Sequence, residues 1–333
     1  MRLDTAREYS QRLGTLSGAQ LQAALDRFDL GELLGAEPAQ IGLFGQNVFL
    51  TTTRGGYVLR GAPRPDWQFL KERFFTKALH ERTDVPVPWP YLVDPSEDIF
   101  GWSYVVMPKM LGLQIGDPTV RSTLTAADRR RLAWAMGENL ARMHKLTWPH
   151  YGEYDAETGA IRPIEGIFRD WVIARVRQWL DRCRAASEAT TEADVAWVEE
   201  QIAKAHAALA VPTQPTLVHQ DYKENNAAAE RTAEGWRVTG VFDVGGAYFG
   251  DGEEDLARSV ATYAREDAEL ARGFLAGYQA NRALRPGFAE RFPLYMVADR
   301  LVIWQYGQRN KVWFDSNVLF REWASAFTSL RLL

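Results

Sequence analysis

The spacing of apolar positions changes character along the chain. Ser17-Gly-Ala-Gln20 has the form of a capping box, in which two side chains satisfy the free N–H groups at a helix start. It predicts a short helix over AQLQAALDRFDLGELLG. From Ile41 the texture becomes that of strands: IGLFGQNVFLTTT, then YVLRG, joined by a turn at Arg54-Gly55-Gly56. Val48, Leu50 and Thr52 alternate with Phe49, Thr51 and Thr53, as the two faces of a half-buried strand do. DWQFLKERFFTKALHE, from Asp66 to Glu81, predicts a helix with Phe69, Leu70, Phe74 and Ala78 inward. The prolines of Val85-Pro-Val-Pro-Trp-Pro90 end it, because proline lacks the N–H a helix needs. YLVD and GWSYVVMPKM predict two more strands.

Beyond Leu111 the helical period takes over. Thr125-x-x-Asp128 caps a helix reaching Lys145, with Leu132, Met136, Leu140 and Met143 inward. Phe168, Trp171, Val172, Val176, Trp179, Leu180 and Cys183 form one apolar stripe; Val195, Val198, Ile202 and Leu209 form another. Thr216 to Gly250 is the exception: LVHQDYKENN, a turn at Glu234-Gly235, and WRVTGVFDVGG. Helices resume from Glu253. The pattern predicts an α+β chain with two lobes. Residues 1–110 form a small lobe, helices then antiparallel strands, and 111–333 form a large helical lobe with one hairpin-like insert. The first 35 residues or so carry no role beyond packing.

Composition narrows the chemistry. The 333 residues are 46% hydrophobic and 25% charged, with a formal charge of −4. That mild acidity argues against a nucleic-acid partner, which asks for a basic face. Cys183 is the sole cysteine, which excludes an intramolecular disulfide and a thiolate metal cluster; on its apolar stripe it reads as a small core residue. The start lacks an apolar leader core, and no stretch approaches the roughly 18–20 apolar residues that span a bilayer. The expectation is a cytoplasmic location with no membrane partner.

The insert gathers polar residues in an unusual order. His219, Asp221 and Asn226 stand as H-x-D-x-x-x-x-N, and Asp243 follows apolar Val241 and Phe242 just before Gly245. An acid at the end of an apolar strand faces a desolvation cost unless something cationic meets it. A carboxylate and an amide oxygen suit Mg²⁺, which prefers oxygen ligands; Asn226 and Asp243 would supply them. Asp221 would then be free to accept a proton from a hydroxyl. Mg²⁺ takes polyphosphate ligands, so the set points to phosphoryl transfer. A second reading stands beside it: Asp221 and Asn226 as turn residues, and Asp243 as an Asx turn at a strand end. His219 reads as structural, holding the loop by hydrogen bonds.

These residues resemble those of the aminoglycoside phosphotransferase family, small-molecule kinases with a protein-kinase-like two-lobed fold. His219-Gln-Asp221-Tyr-Lys-Glu-Asn-Asn226 resembles the family's catalytic loop, Phe242-Asp243-Val-Gly245 its second metal motif, and Gly250-Asp-Gly-Glu-Glu-Asp255-Leu-Ala its G-D-x-x-x-D-L-A segment. Tyr57-Val-Leu-Arg60 resembles the strand whose basic residue meets nucleotide phosphates, and Met107-Pro-Lys-Met-Leu-Gly112 the hinge between lobes. The chain departs from the pattern with Arg60 where protein kinases use lysine, and with Gln220 where the family usually has glycine.

The resemblance implies Mg²⁺-dependent transfer of the ATP or GTP γ-phosphate to a small-molecule hydroxyl, with an aminoglycoside-type antibiotic as the leading acceptor. A metabolic kinase acting on a fructosamine, an amino alcohol or another hydroxylated metabolite is the alternative, and a non-catalytic nucleotide-binding protein a further one. It implies Asp221 as the base, Asn226 and Asp243 on the metal, and Arg60 on the α/β phosphates, oriented by Glu72. Gly45 and Asn47, with Phe44 and Gln46, would cover the phosphates. Met107 and Met110 would hold the base edge through the backbone. Asp251, Glu253 and Glu254 would meet a cationic acceptor, as could Asp170 and Asp315; acids on helices otherwise form a solvated face. Trp304, Tyr306, Trp313, Phe314 and Trp323 read as core, or as a stacking surface for the acceptor.

Overall fold

Five antiparallel strands make the first sheet of the computed structural model, in the spatial order Leu33–Pro38, Asn47–Thr52, Gly55–Gly61, Tyr104–Pro108, Leu92–Asp94. Residues 6–39, 45–315 and 318–328 are described. Contacts divide the chain into two units that interleave along the sequence: Met1–Thr123, Tyr154–Ala160 and Asn225–Gly245 in the first, and Leu124–Glu153, Ile161–Glu224 and Gly246–Leu333 in the second.

The strand period sets the faces of the first sheet. Val48, Leu50, Leu59, Tyr104 and Val106 are buried on one face with Leu13, Leu16, Leu21 and Leu25. Val105 and Met107, one residue out of phase, turn to the other face with Phe69 and Tyr91. The expected alternation of Val48, Leu50 and Thr52 is present, all three being buried.

The opening segment differs from the expectation. Ser17 and Gln20 form the capping box, but the helix is only Gly18–Asp26. Asp29 (φ 53°) and Gly31 (φ 87°) take left-handed conformations that end it, and Leu33–Pro38 becomes the edge strand instead of a helix tail. Arg7–Ser10 and Gly14–Leu16 pair as a hairpin that the apolar pattern did not reveal. Ile41 to Phe44, expected as strand and phosphate loop, lie outside the described residues.

The helix expected from Asp66 spans Gln68–Arg82 and buries Phe69, Glu72, Phe75, Thr76 and Leu79. Leu70, Phe74 and Ala78 lie half-buried beside that face. Apolar period misplaced the face because a glutamate, Glu72, is one of its inward positions. Completing the first unit, Ala227–Arg231 pairs with Trp236–Val241, turning at Gly235, and with Leu113–Gln114.

The second unit is chiefly helical, as expected. Thr125 and Asp128 cap Ala126–Met143, which buries Leu132, Met136, Leu140 and Met143. Phe168–Ala186 buries Val172, Val176, Leu180 and Cys183. The Cys183 Sγ–H faces the Leu301 carbonyl at 3.3 Å, and burial pushes its pKa up to about 12, so it is a core residue. Trp304 is fully buried among Phe314, Phe320 and Trp323, whereas Trp313 is 56% exposed. Gly152–Asp155 and Ala160–Pro163, short strands where helix was expected, join Thr216–Val218 and Tyr248–Gly250 of the expected insert in one four-stranded sheet. No helix among the described residues is long and apolar enough to cross a membrane.

Candidate active site

In the first unit the hairpin of the central strands sets Asn47 opposite Arg60. Arg60 NH1 lies 3.1 Å from Glu72 Oε2, and its NH2 lies 3.4 Å from both Asp243 Oδ1 and Gln46 Oε1. The side chains of Arg60 and Glu72 are 11% and 2% exposed; that of Asp243 is 38% exposed. Burial works against the Arg60 charge, yet the Glu72 and Asp243 carboxylates outweigh it and hold its pKa above the ordinary guanidinium value.

Glu72 is fixed from two further sides. Tyr91 donates its hydroxyl to Oε2, and the Gln68 amide donates to Oε1 at 2.8 Å. Gln46 is also buried, and its amide donates to the Gly61 and Ala62 carbonyls at 3.0 and 3.1 Å. Tyr91 and Gln68 gave no sequence signal, since neither stands at a motif position, and Gln46 entered only with the loop expected over the phosphates. Glu72 adjoins Gly245 so closely that a Cβ there would lie 3.1 Å from Oε1, which accounts for glycine after the Asp243 motif.

Asp243 has φ 61°, a conformation that a non-glycine residue rarely holds without a reason. The Asn226 carbonyl accepts the Phe242 N–H at 2.9 Å, extending the hairpin ladder by one pair and bringing the two candidate metal-ligand residues to its end. A carboxylate and an amide are a partial oxygen set. They fit Mg²⁺, which usually keeps waters and phosphate oxygens as its other ligands. Among the described residues no group of three or more His, Cys, Asp or Glu forms a ready-made metal cage.

The other expected nucleotide residues also lie in this unit. The Gly45 carbonyl accepts the Ser10 hydroxyl, and a Cβ on Gly45 would lie 3.0 Å from Ser10 Cβ. Asn47 Oδ1 is buried without a partner among the described residues. Met107 is buried under the sheet, Met110 is half-buried, and Leu111 is 79% exposed. The Lys109 N–H donates to the Gly56 carbonyl at 3.0 Å, and the Leu111 carbonyl accepts from Thr239, so part of the hinge backbone is already engaged.

In the second unit the loop after Thr216–Val218 is fastened along its length. The His219 and Gln220 N–H groups each donate to Asp255 at 2.7 Å. Asp255 is buried beside His144, whose pKa burial pushes down, so the imidazole is neutral at pH 7. Gln220 has φ 71°, the conformation for which glycine is the easy choice. His219 is fully buried and its Nδ1 accepts the Asp221 N–H at 3.3 Å, a structural use. The Tyr222 hydroxyl donates to the Met136 carbonyl at 3.0 Å, and Glu224 meets Arg129 at 2.8 Å. Between these anchors the Asp221 side chain is 33% exposed, with Lys223 Nζ at 2.8 Å and Arg258 NH1 at 3.0 Å.

The three acids expected at the acceptor each have partners within the second unit. Asp251 and Glu253 are buried: Asp251 accepts from Tyr295 at 2.6 Å and pairs with Arg285, and Glu253 meets Arg291 at 2.6 Å. Glu254 accepts the Tyr248 hydroxyl and lies 3.4 Å from Arg175; burial raises its pKa despite that arginine. Asp170 pairs with Arg169 on an exposed helix start, and Asp315 is exposed. The sequence singled out the Gly250–Ala257 segment without a role for Asp255. The helical period from Asp255 to Arg258 and Ser259 was the available signal for the residues that grip the loop.

Comparison with known proteins was made against this geometry. The model of the phosphotransferase enzyme family APH matches residues 36–290. No curated protein sequence matches the chain. Among solved structures, a candidate aminoglycoside phosphotransferase from Ralstonia eutropha JMP134 is similar at 17% identity and a TM-score of 0.62, covering 93% of this chain and 94% of that one. A candidate fructosamine-3-kinase from Thermobifida fusca YX-ER1 is similar at 18% identity and 0.62, covering 92% and 96%. A variant of the aminoglycoside phosphotransferase APH(4)-Ia, in ternary complex with ADP and hygromycin B, is similar at 15% identity and 0.61, covering 92% and 96%. At such identities the likeness is one of fold.

Proposed function

The chain belongs to the phosphotransferase enzyme family, and we propose that it transfers the γ-phosphate of ATP or GTP to a hydroxyl of a small molecule. The observation that carries this reading is Arg60, a buried guanidinium fixed by Glu72 and Gln46 and turned toward partly exposed Asp243. A cation held rigidly beside an open carboxylate suits a nucleotide polyphosphate and its counter-ion. Nucleotide complexes among its structural relatives support the donor class.

In this reading Arg60 binds the α/β phosphates, and Gly45 and Asn47 cover them. Backbone groups from Met107 to Met110 take the edge of the base. Asn226 and Asp243 would hold Mg²⁺, which would supply positive charge to offset that of the phosphates. Asp221 orients the acceptor hydroxyl and takes its proton during the in-line attack. Positioning and electrostatics supply most of the rate. Residues 1–110 contribute the nucleotide side, and 111–333 the catalytic loop, metal ligands and acceptor side.

The acceptor is a small hydroxylated molecule. An aminoglycoside-type acceptor, the leading expectation from sequence, asks for carboxylates with charge to spare. Asp251 and Glu253 are buried on Arg285 and Arg291, and Glu254 faces Arg175. That neutralisation supports the metabolic alternative, a hydroxylated metabolite of lower positive charge. The similar fold of a candidate fructosamine-3-kinase is compatible with it.

The test is ATP and GTP depletion over aminoglycosides, macrolides, fructosamines and small amino alcohols, with and without Mg²⁺. Turnover on a metabolite and silence on the antibiotics is the expected result. Turnover on an aminoglycoside restores the antibiotic reading. A Mg²⁺-dependent nucleotide thermal shift without turnover on any acceptor points to the non-catalytic reading.

A further inference from the structure

We infer that Arg258, braced by Asp299, is a positioning residue that aims the Asp221 carboxylate at the acceptor hydroxyl. The inference rests on the assignment of Asp221 as the base. One face of the helix Asp255–Ala264 grips three successive parts of the loop. Asp255 accepts the backbone N–H groups of His219 and Gln220. Three residues on, Arg258 NH1 lies 3.0 Å from Asp221 Oδ1. Next to it, Ser259 donates its hydroxyl to the Tyr222 carbonyl at 2.7 Å. Positions i, i+3 and i+4 share one side of a helix, so this single turn serves as a template for the loop.

The three grips differ in what they fix. Asp255 and Ser259 hold only backbone, so they set the path of the loop without touching the Asp221 carboxylate. Arg258 reaches the carboxylate itself. Lys223 reaches it too, but from two residues away on the same loop, as a point charge on a flexible four-carbon stem. The Arg258 guanidinium is planar, and its Nε edge is held by Asp299, which Arg300 holds in turn. The side chains of Arg258 and Asp299 are 11% and 9% exposed, against 33% for Asp221. A buried ion pair is weak evidence for stability, because apolar residues of similar volume usually serve as well. A buried, braced pair whose free edge ends on a partly exposed carboxylate is explained by what it orients.

The experiment uses the full-length chain with its best acceptor from the depletion panel. Steady-state kinetics of R258Q, R258K and D299N are compared with wild type and D221N, with nucleotide affinity read by thermal shift. R258Q is expected to lower kcat about 10- to 100-fold, the scale of a misplaced reacting group, with the nucleotide KM within about twofold of wild type. R258K is expected to regain part of the loss, and D299N to fall between R258Q and wild type. A kcat within twofold of wild type in R258Q overturns the inference, as does a parallel loss of nucleotide affinity. If R258Q does not fold, R258K and D299N decide, and full activity in both overturns it. D221N as active as wild type would sink the base assignment itself; D221N inactive beside a fully active R258Q sinks only the positioning role.

Discussion

Two arginine–carboxylate clusters, one in each unit, use the same groups to opposite ends. In the second unit Asp251 and Glu253 are both buried, and Arg285, Arg291 and Tyr295 saturate them. In the first unit Arg60 is equally committed to Glu72, but the cluster stops short of closure. Asp243 is 38% exposed in a left-handed conformation, and Arg60 Nε and Asn47 Oδ1 are buried without partners among the described residues. A saturated network has nothing left to offer a ligand. An open one carries an unpaid electrostatic cost that a ligand can relieve. The sequence cannot distinguish the two, since both read as acids near arginines.

The contrast can be broken at its strongest point through Asp221, the acid that is anchored yet partly open. D221N is expected to lower kcat about 10²- to 10⁴-fold, the size of a general-base contribution, with the fold unchanged by circular dichroism. Retention of near-full turnover would falsify the base assignment. Glu253→Ala tests the saturated cluster. It strands Arg291 and is expected to remove about 3–5 kcal/mol of stability by urea unfolding while leaving nucleotide affinity alone. Unchanged stability would mean that the cluster is not structural.

Asp243→Ala tests the open cluster. The wild-type chain at 100 times the nucleotide Kd gains about 2.7 kcal/mol of stability by mass action, and the variant is expected to lose the Mg²⁺-dependent part of that gain. An identical Mg²⁺-dependent shift in the variant removes Asp243 from the metal. The smallest effect is expected from Gly245→Ala, whose new methyl would press on Glu72 Oε1. Glu72 is held by Arg60, Tyr91 and Gln68 and cannot step aside, so a stability loss of about 1 kcal/mol, the low end of overpacking, is expected together with weaker nucleotide binding. Weaker stability with intact nucleotide binding would separate Glu72 from the nucleotide.

Legibility followed the kind of signal each element carried. Ser17–Gln20 and Thr125–Asp128 are local codes four residues long, and both helix starts stand where the codes put them. Val48, Leu50 and Thr52 needed only period two. The helix Gln68–Arg82 was found, but its inward face was misjudged, because Glu72 is buried by partners 12 and 19 positions away. The hairpin of Arg7–Ser10 and Gly14–Leu16 was missed because its strands, of four and three residues, are too short to show a period, and the strand Leu33–Pro38 because it is defined by pairing with Asn47–Thr52.

The candidate site divides in the same way. The order of His219, Asp221, Asn226 and Asp243 is a property of the chain, and it led to the family without coordinates. Whether an acid is free or already satisfied depends on which arginine the fold brings to it, as Arg285 and Arg291 show for Asp251 and Glu253. Local caps, strand period and motif order are written in neighbouring residues, so sequence alone determined them. Burial and pairing are set by chain segments far apart in number, and only the tertiary structure decided those.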